Sequence, residues 1–177
     1  RLLQAGADPN VAGADGRSPL LVALAADTSV LATALLGAGA NPNVAEADGT
    51  TPLMVAATRD DQGLVGNLLQ FGADPEARDG DNRTALVRAL YQSTETGQGF
   101  TGSAEVLASR TSSQVGRGPH AGALLTRAVD RSNFAVFQYL LQTGLRTDAR
   151  YPNGTPLLAV VLDREAWVVA LLEQGFD

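Results

Sequence analysis

Apolar residues fall in short bursts along this chain, and the bursts return at a fixed step. LLQAGADPN spans Leu2 to Asn10, LLGAGANPN spans Leu35 to Asn43, and LLQFGADPE spans Leu68 to Glu76, so the interval from Leu2 to Leu35 recurs unchanged from Leu35 to Leu68. LLQTGLRTD at Leu140 to Asp148 and LLEQGFD at Leu171 to Asp177 are looser copies. A second marker keeps time with the first: DGRSPLLVAL begins at Asp15, DGTTPLMVAA at Asp48 and DNRTALVRAL at Asp81. AGALLTRAV is a worn fourth copy, with Ala123 in register with Thr51, and NGTPLLAVV from Asn153 is a fifth. Self-similarity at such a period is the mark of a repeat architecture.

Each unit reads as two helices joined by turns. The Asp-Gly pair makes a tight turn, because glycine accepts positive φ. Ser18, Thr51, Thr84 and Thr155 stand where a helix N-cap belongs, and Pro19, Pro52 and Pro156 follow at the first helical position. A side-chain oxygen there accepts an orphan N–H, and the N–H that proline lacks is not missed. Leu and Ala at i and i+3 give a short inner helix, and a second apolar helix follows, such as Leu64, Val65, Leu68 and Leu69. Gly6, Gly39, Gly72 and Gly144 close that helix as left-handed caps. One such pair cannot bury its own apolar face, so the units must stack.

The unit G-A-D-x-N, D-G-x-T-P-L and a helix pair, returning at this period, resembles the ankyrin repeat over nearly the whole chain. The resemblance implies an all-α repeat solenoid of stacked helix-turn-helix units with short β-hairpin loops, and a single domain over residues 1–177. Its parts would be a partial unit at 1–10 and repeats at about 11–43, 44–76, 77–115, 116–148 and 149–177. The chain departs from the family pattern in two places. The histidine after T-P-L is replaced by Leu21, Met54, Val87, Thr126 and Leu158, and the Gly-His between the helices is absent, with Asp60-Asp61 in repeat two. Both lapses remove local hydrogen bonds of the pattern.

The rhythm breaks once. The interval from Thr84 to Ala123 is six longer than the regular step from Thr51 to Thr84. The reading is an inner helix over about 84–92, a polar loop STETGQGFT at 93–101, and an outer helix over about 102–110. Inserted loops on a rigid scaffold often carry function, and often carry none. Phe100 in this loop either waits for a partner or folds back onto the outer helices, and folding back is expected.

Composition narrows the function. The chain has no cysteine, which excludes disulfides, thiolate metal sites and cysteine nucleophiles. All 13 basic residues are arginine, a bias that points to a GC-rich, bacterial genome. The net charge of −6 disfavours a phosphate-backbone ligand. No apolar stretch is long enough for a membrane span. The compartment stays open, cytoplasmic by default and compatible with a bacterial periplasm.

No catalytic constellation is found. His120 is the only histidine and has no nucleophile arranged beside it in sequence. DPEARDGDN (Asp74 to Asn82) lacks the spacing of a calcium loop and reads as solvated hairpin charge. No catalytic residue, metal or cofactor is therefore expected. Arg88 and Arg127 occupy the same slot of successive units, where repeats one and two carry Val22 and Val55. Stacking should set them side by side, either as a clamp for a partner carboxylate or in internal bridges to Asp130, Glu95 or Asp163. Family partners dock on hairpin tips and the exposed side of the inner helices. The expected contact residues are Arg59, Arg83, Arg88, Tyr91, Phe100, His120, Arg127, Arg131 and Tyr151. Trp167 falls on an apolar outer-helix slot and is expected in the core. The resulting expectation is a non-catalytic module that binds another protein as an adaptor, an inhibitor or an immunity-type partner. Two alternatives stay open: a regulatory or targeting segment of a longer enzyme, and a self-assembling structural array. The oligomeric state is undetermined.

Overall fold

The computed structural model describes residues 7–14, 16–96, 99–111, 115–145 and 154–173. Its helices follow one another in pairs: α1 (Pro19–Ala25) with α2 (Ser29–Gly37), α3 (Pro52–Thr58) with α4 (Gln62–Gln70), α5 (Ala85–Thr96) with α6 (Gly102–Arg110), α7 (Ala121–Asp130) with α8 (Phe134–Gln142), and α9 (Leu157–Val161) with α10 (Glu165–Glu173). A 3-10 turn at Val115–Arg117 precedes α7. The chain divides into two compact units, Arg1–Ala89 with Gly102–Thr111, and Leu90–Thr101 with Ser112–Asp177.

In the first unit the inner helices α1 and α3 pack side by side, and so do the outer helices α2, α4 and α6. Leu20, Leu24, Leu36, Leu53, Met54, Leu68, Leu86 and Leu107 are wholly buried between the layers. The ends form as local chemistry dictates. Ser18, Thr51 and Thr84 accept the N–H three residues on, at 3.3, 3.4 and 3.3 Å. Pro19 and Pro52 open their helices. Gly39 and Gly72 close the outer helices at φ of 93° and 87°. Gly6 lies outside the described residues.

Successive units are stapled by the asparagine of the P-N pair. Asn10 Nδ2 donates to the Gly39 carbonyl at 3.0 Å, and its Oδ1 accepts the Asn41 N–H at 2.7 Å. Asn43 repeats this one unit later, on Gly72 at 2.9 Å and Asp74 at 2.8 Å. The hairpin loops close by backbone bonds such as Glu46 N–H to Thr50 O at 2.9 Å.

In the second unit α7 pairs with α8, α9 pairs with α10, and α8 packs on α10. Leu90, Leu124, Leu125 and Phe137 are wholly buried. Trp167 is in the core as expected, its ring 4.4 Å from Phe137. Pro156 caps α9 from outside, so this helix starts one residue later than its proline suggests. Gly116 is buried against the Leu140 carbonyl and the Leu145 N–H, leaving no room for a Cβ.

The surplus residues lie elsewhere than expected. The segment 85–101 covers α5 and the turn to α6, and it is longer than its counterpart 52–61 in the preceding repeat. Most of the surplus lengthens α5, which runs to Thr96 rather than ending near residue 92. The polar stretch helicises because its hydroxyls are satisfied locally: Thr94 bonds the Tyr91 carbonyl at 2.7 Å, and Thr96 the Gln92 carbonyl at 3.3 Å. Ser93 and Thr94 are fully buried. The buried Asn133 side chain donates to the carbonyls of Ser93 and Gly99, at 2.9 and 3.1 Å. The end of α5 is thus tied into the second unit.

The glycine missing between the helices is replaced at a conformational cost. Asp27, Asp60 and Ser132 take φ of 54°, 54° and 55° at that position. Short polar side chains tolerate this region better than others do. Asp60 is compensated, since its Oδ1 accepts the Ser103 N–H at 2.8 Å at the start of α6.

Candidate recognition surface

The expected contact residues divide into two kinds once their surroundings are visible. In the first unit the candidates Arg59, Arg83 and Arg88 are bound to groups of the unit itself. Arg59 Nη1 donates to the Leu24 carbonyl at 2.6 Å, capping the end of α1, and pairs with Asp27 at 3.0 Å. A shallow polar groove there is lined by Asp27, Ser29, Arg59 and Asp61. Its groups satisfy one another, since Ser29 bonds Asp61 and Arg59 bonds Asp27.

Arg83 and Arg88 converge on Asp79. Arg83 Nε lies 2.9 Å from Asp79 Oδ2, and Arg88 Nε and Nη2 lie 2.8 and 2.6 Å from the same oxygen. Arg88 also donates to Thr50 Oγ1 at 2.9 Å. Asp79 Oδ1 accepts the N–H groups of Asp81 and Arg83, at 3.0 and 2.8 Å. Its side chain is 1% exposed. Burial raises the pKa, but the Arg83 N–H and the guanidinium groups of Arg88 and Arg83 outweigh it and hold the carboxyl at about 2. Asp79 is therefore the buried centre of its hairpin, not solvated charge as its sequence neighbourhood suggested. Arg88 bridges to Asp79, a partner absent from the three sequence-based candidates.

The second unit gathers Tyr91, His120, Arg127 and Arg131 on the inner-helix side. The Arg127 guanidinium carbon lies 5.2 Å from the centre of the Tyr91 ring. The Tyr91 and His120 rings meet edge to face at 6.3 Å. Arg127 pairs with Glu95, and Arg131 reaches the other oxygen of Glu95 at 3.4 Å. Arg127 and Arg131 are four residues apart, one turn of α7 and its C-cap, so they share a face. The side chains of Arg127, Glu95 and Arg131 are 41%, 43% and 56% exposed. Of the bridges foreseen from sequence, the one from Arg127 to Glu95 is present. Phe100 folds back, its ring 5.1 Å from that of Tyr139. Tyr151 lies outside the described residues. Sequence alone offers Glu95 as just one of three bridging acids, because it sets this residue in a loop and not on an extended helix.

Among the described residues no cluster of three histidine or acidic side chains could hold a metal, and no helix is long and apolar enough to cross a membrane. Within each unit the helix pairs pack on one another and bury a shared apolar layer, as repeat units do. A family model described as ankyrin repeats (3 copies) matches residues 1–79 and 24–101. The chain belongs to the ankyrin-repeat family, whose repeats mediate protein–protein interaction. Among solved structures it is similar to the ankyrin repeat domain of Bcl-3, described as a unique member of the IkappaB protein family. That match has a TM-score of 0.68 at 25% identity and covers 99% of this chain and 78% of the other. A search of curated proteins by sequence finds no match.

Proposed function

We propose that this chain is a non-catalytic module that binds a partner protein, as an adaptor or inhibitor does, through the inner-helix face of its second unit. The observation that carries the reading is the contrast among the arginines. Arg59, Arg83 and Arg88 close helix ends or a buried carboxylate within the first unit. Arg127 and Arg131 instead meet on one side-chain carboxylate, the exposed Glu95, with Arg127 also lying over the Tyr91 ring and no backbone carbonyl or buried acid between them. Arginine and tyrosine are the side chains most often dominant at interfaces. A face preordered by Tyr91 and by the buried Asn133 anchor loses little side-chain entropy on binding.

The test is selection of a displayed library of random dodecapeptides on the immobilised chain. The proposal expects enriched ligands whose binding falls at least about tenfold with Arg131→Ala. A library that yields no ligand, or ligands indifferent to this substitution, overturns it.

A further inference from the structure

We propose that Arg127 and Arg131 form a receptor for a carboxylate of an acidic partner segment, and that Glu95 occupies this receptor as an internal competitor. The inference rests on the recognition reading above and names the chemistry of its ligand. Its ground is the meeting of three side chains. Two guanidinium groups, set one helical turn apart, engage the two oxygens of a single carboxylate. That carboxylate is borne by the part of α5 that extends beyond the length of α1 and α3. The irregular segment of the repeat array thus delivers an acid onto the arginines.

The contact is built to be exchangeable. Glu95 is exposed, and exposed ion pairs of this type are weak. The backbone beneath it is fixed by Asn133, so releasing the carboxylate needs only rotation of the Glu95 side chain and leaves α5 in place. Tyr91 keeps the Arg127 guanidinium oriented from its flank when the carboxylate leaves. Once Glu95 turns away, two adjacent cations face solvent and repel each other, which favours entry of another carboxylate. The Asp79 site differs on each of these points. It is buried, and its carboxylate also holds two backbone N–H groups.

The experiment is fluorescence anisotropy of a fluorescein-labelled hexaglutamate peptide at low ionic strength, with hexalysine as the control probe. The wild type, Glu95→Gln, Glu95→Ala and the double variant Arg127→Gln/Arg131→Gln are compared after circular dichroism has verified their helical content. Both Glu95 variants are expected to bind hexaglutamate about threefold or more tighter than the wild type. The double variant is expected to bind at least about tenfold more weakly than Glu95→Gln. Glu95 variants no tighter than the wild type, a double variant as tight as the wild type, or no hexaglutamate binding by any of them overturns the inference. If the peptide library still yields ligands sensitive to Arg131→Ala, only the inference falls. If it yields none, the recognition reading falls as well.

Discussion

Asp79 Oδ2 accepts from both Nε and Nη2 of Arg88, at 2.8 and 2.6 Å, in a setting where the carboxylate itself is hidden from water. The pair joins the hairpin of the third repeat to the inner helix that follows it. Because Arg88 donates to Thr50 as well, the same guanidinium reaches the hairpin of the second repeat. An arginine that from its slot in the repeat looked available to a ligand is thus committed to holding two hairpins together.

The first prediction concerns pH. Asp79 titrates at about 2 in the folded chain against 3.8 for an unperturbed aspartate. A depressed carboxylate pKa stabilises the fold above the unfolded value, and that stability is lost as pH falls through the folded value. Asp79 should contribute about 2 kcal/mol that is complete above roughly pH 4 and gone near roughly pH 2. Denaturant unfolding at several pH values should show this loss in the wild type and a flatter profile in Asp79→Asn. At neutral pH the variant should be about 2–4 kcal/mol less stable, since it leaves two partly buried guanidinium groups without their anion.

The second concerns the staple. Asn43→Ala removes both the donor to Gly72 and the acceptor for Asp74. The residue is exposed, so water replaces part of the loss, and the cost should be about 1–2 kcal/mol in urea unfolding. An unchanged midpoint would show that apolar stacking alone sets the register of the units.

The third concerns backbone conformation. Ser132 holds a left-handed φ of 55° in the turn between α7 and α8, and it is exposed. Ser132→Gly should stabilise the chain by about 0.5–1 kcal/mol, read as a rise in thermal midpoint. Asp60→Gly should gain less, because that carboxylate also accepts the Ser103 N–H.

The fourth concerns the extended helix. Asn133→Leu takes one donor from each of the Ser93 and Gly99 carbonyls and leaves the Val136 N–H without its side-chain acceptor. It should cost about 2–4 kcal/mol, measured by denaturant unfolding. Shortening the segment at 93–101 should likewise lower stability, because Ser93 and Thr101 are buried within it and bonded to each other, the Thr101 N–H donating to Ser93 Oγ at 3.1 Å.

Much of the fold is legible in the sequence because its signals are local. Ser18, Thr51 and Thr84 cap within three residues, Pro19 and Pro52 open helices, and Gly39 and Gly72 close them, so the period alone places most helices. Long-range burial is harder to read. Asp79 sits among Asp74, Glu76 and Asp81 in sequence, and only the folding of Arg83 and Arg88 over it sets it apart. Arg88 and Arg127 share a slot and differ in fate, because one meets a buried acid of its own hairpin and the other an acid on an extended helix. That extension was itself hidden, since Ser93, Thr94 and Thr96 have weak helix propensity and are carried into α5 by burial and by hydroxyl bonds to preceding carbonyls. The P-N staple was visible as a repeated pair, but its role depends on Asn10 and Asn43 meeting the next unit of the stack.

The most direct test of the account is isothermal titration of the tightest library-selected ligand against three forms of the chain: the wild type, Arg131→Ala, and Arg110→Ala on the outer helix α6. The account predicts that Arg131→Ala weakens binding at least about tenfold while Arg110→Ala leaves it unchanged. Equal affinity for all three, or a loss confined to Arg110→Ala, would contradict recognition through the inner-helix face of the second unit.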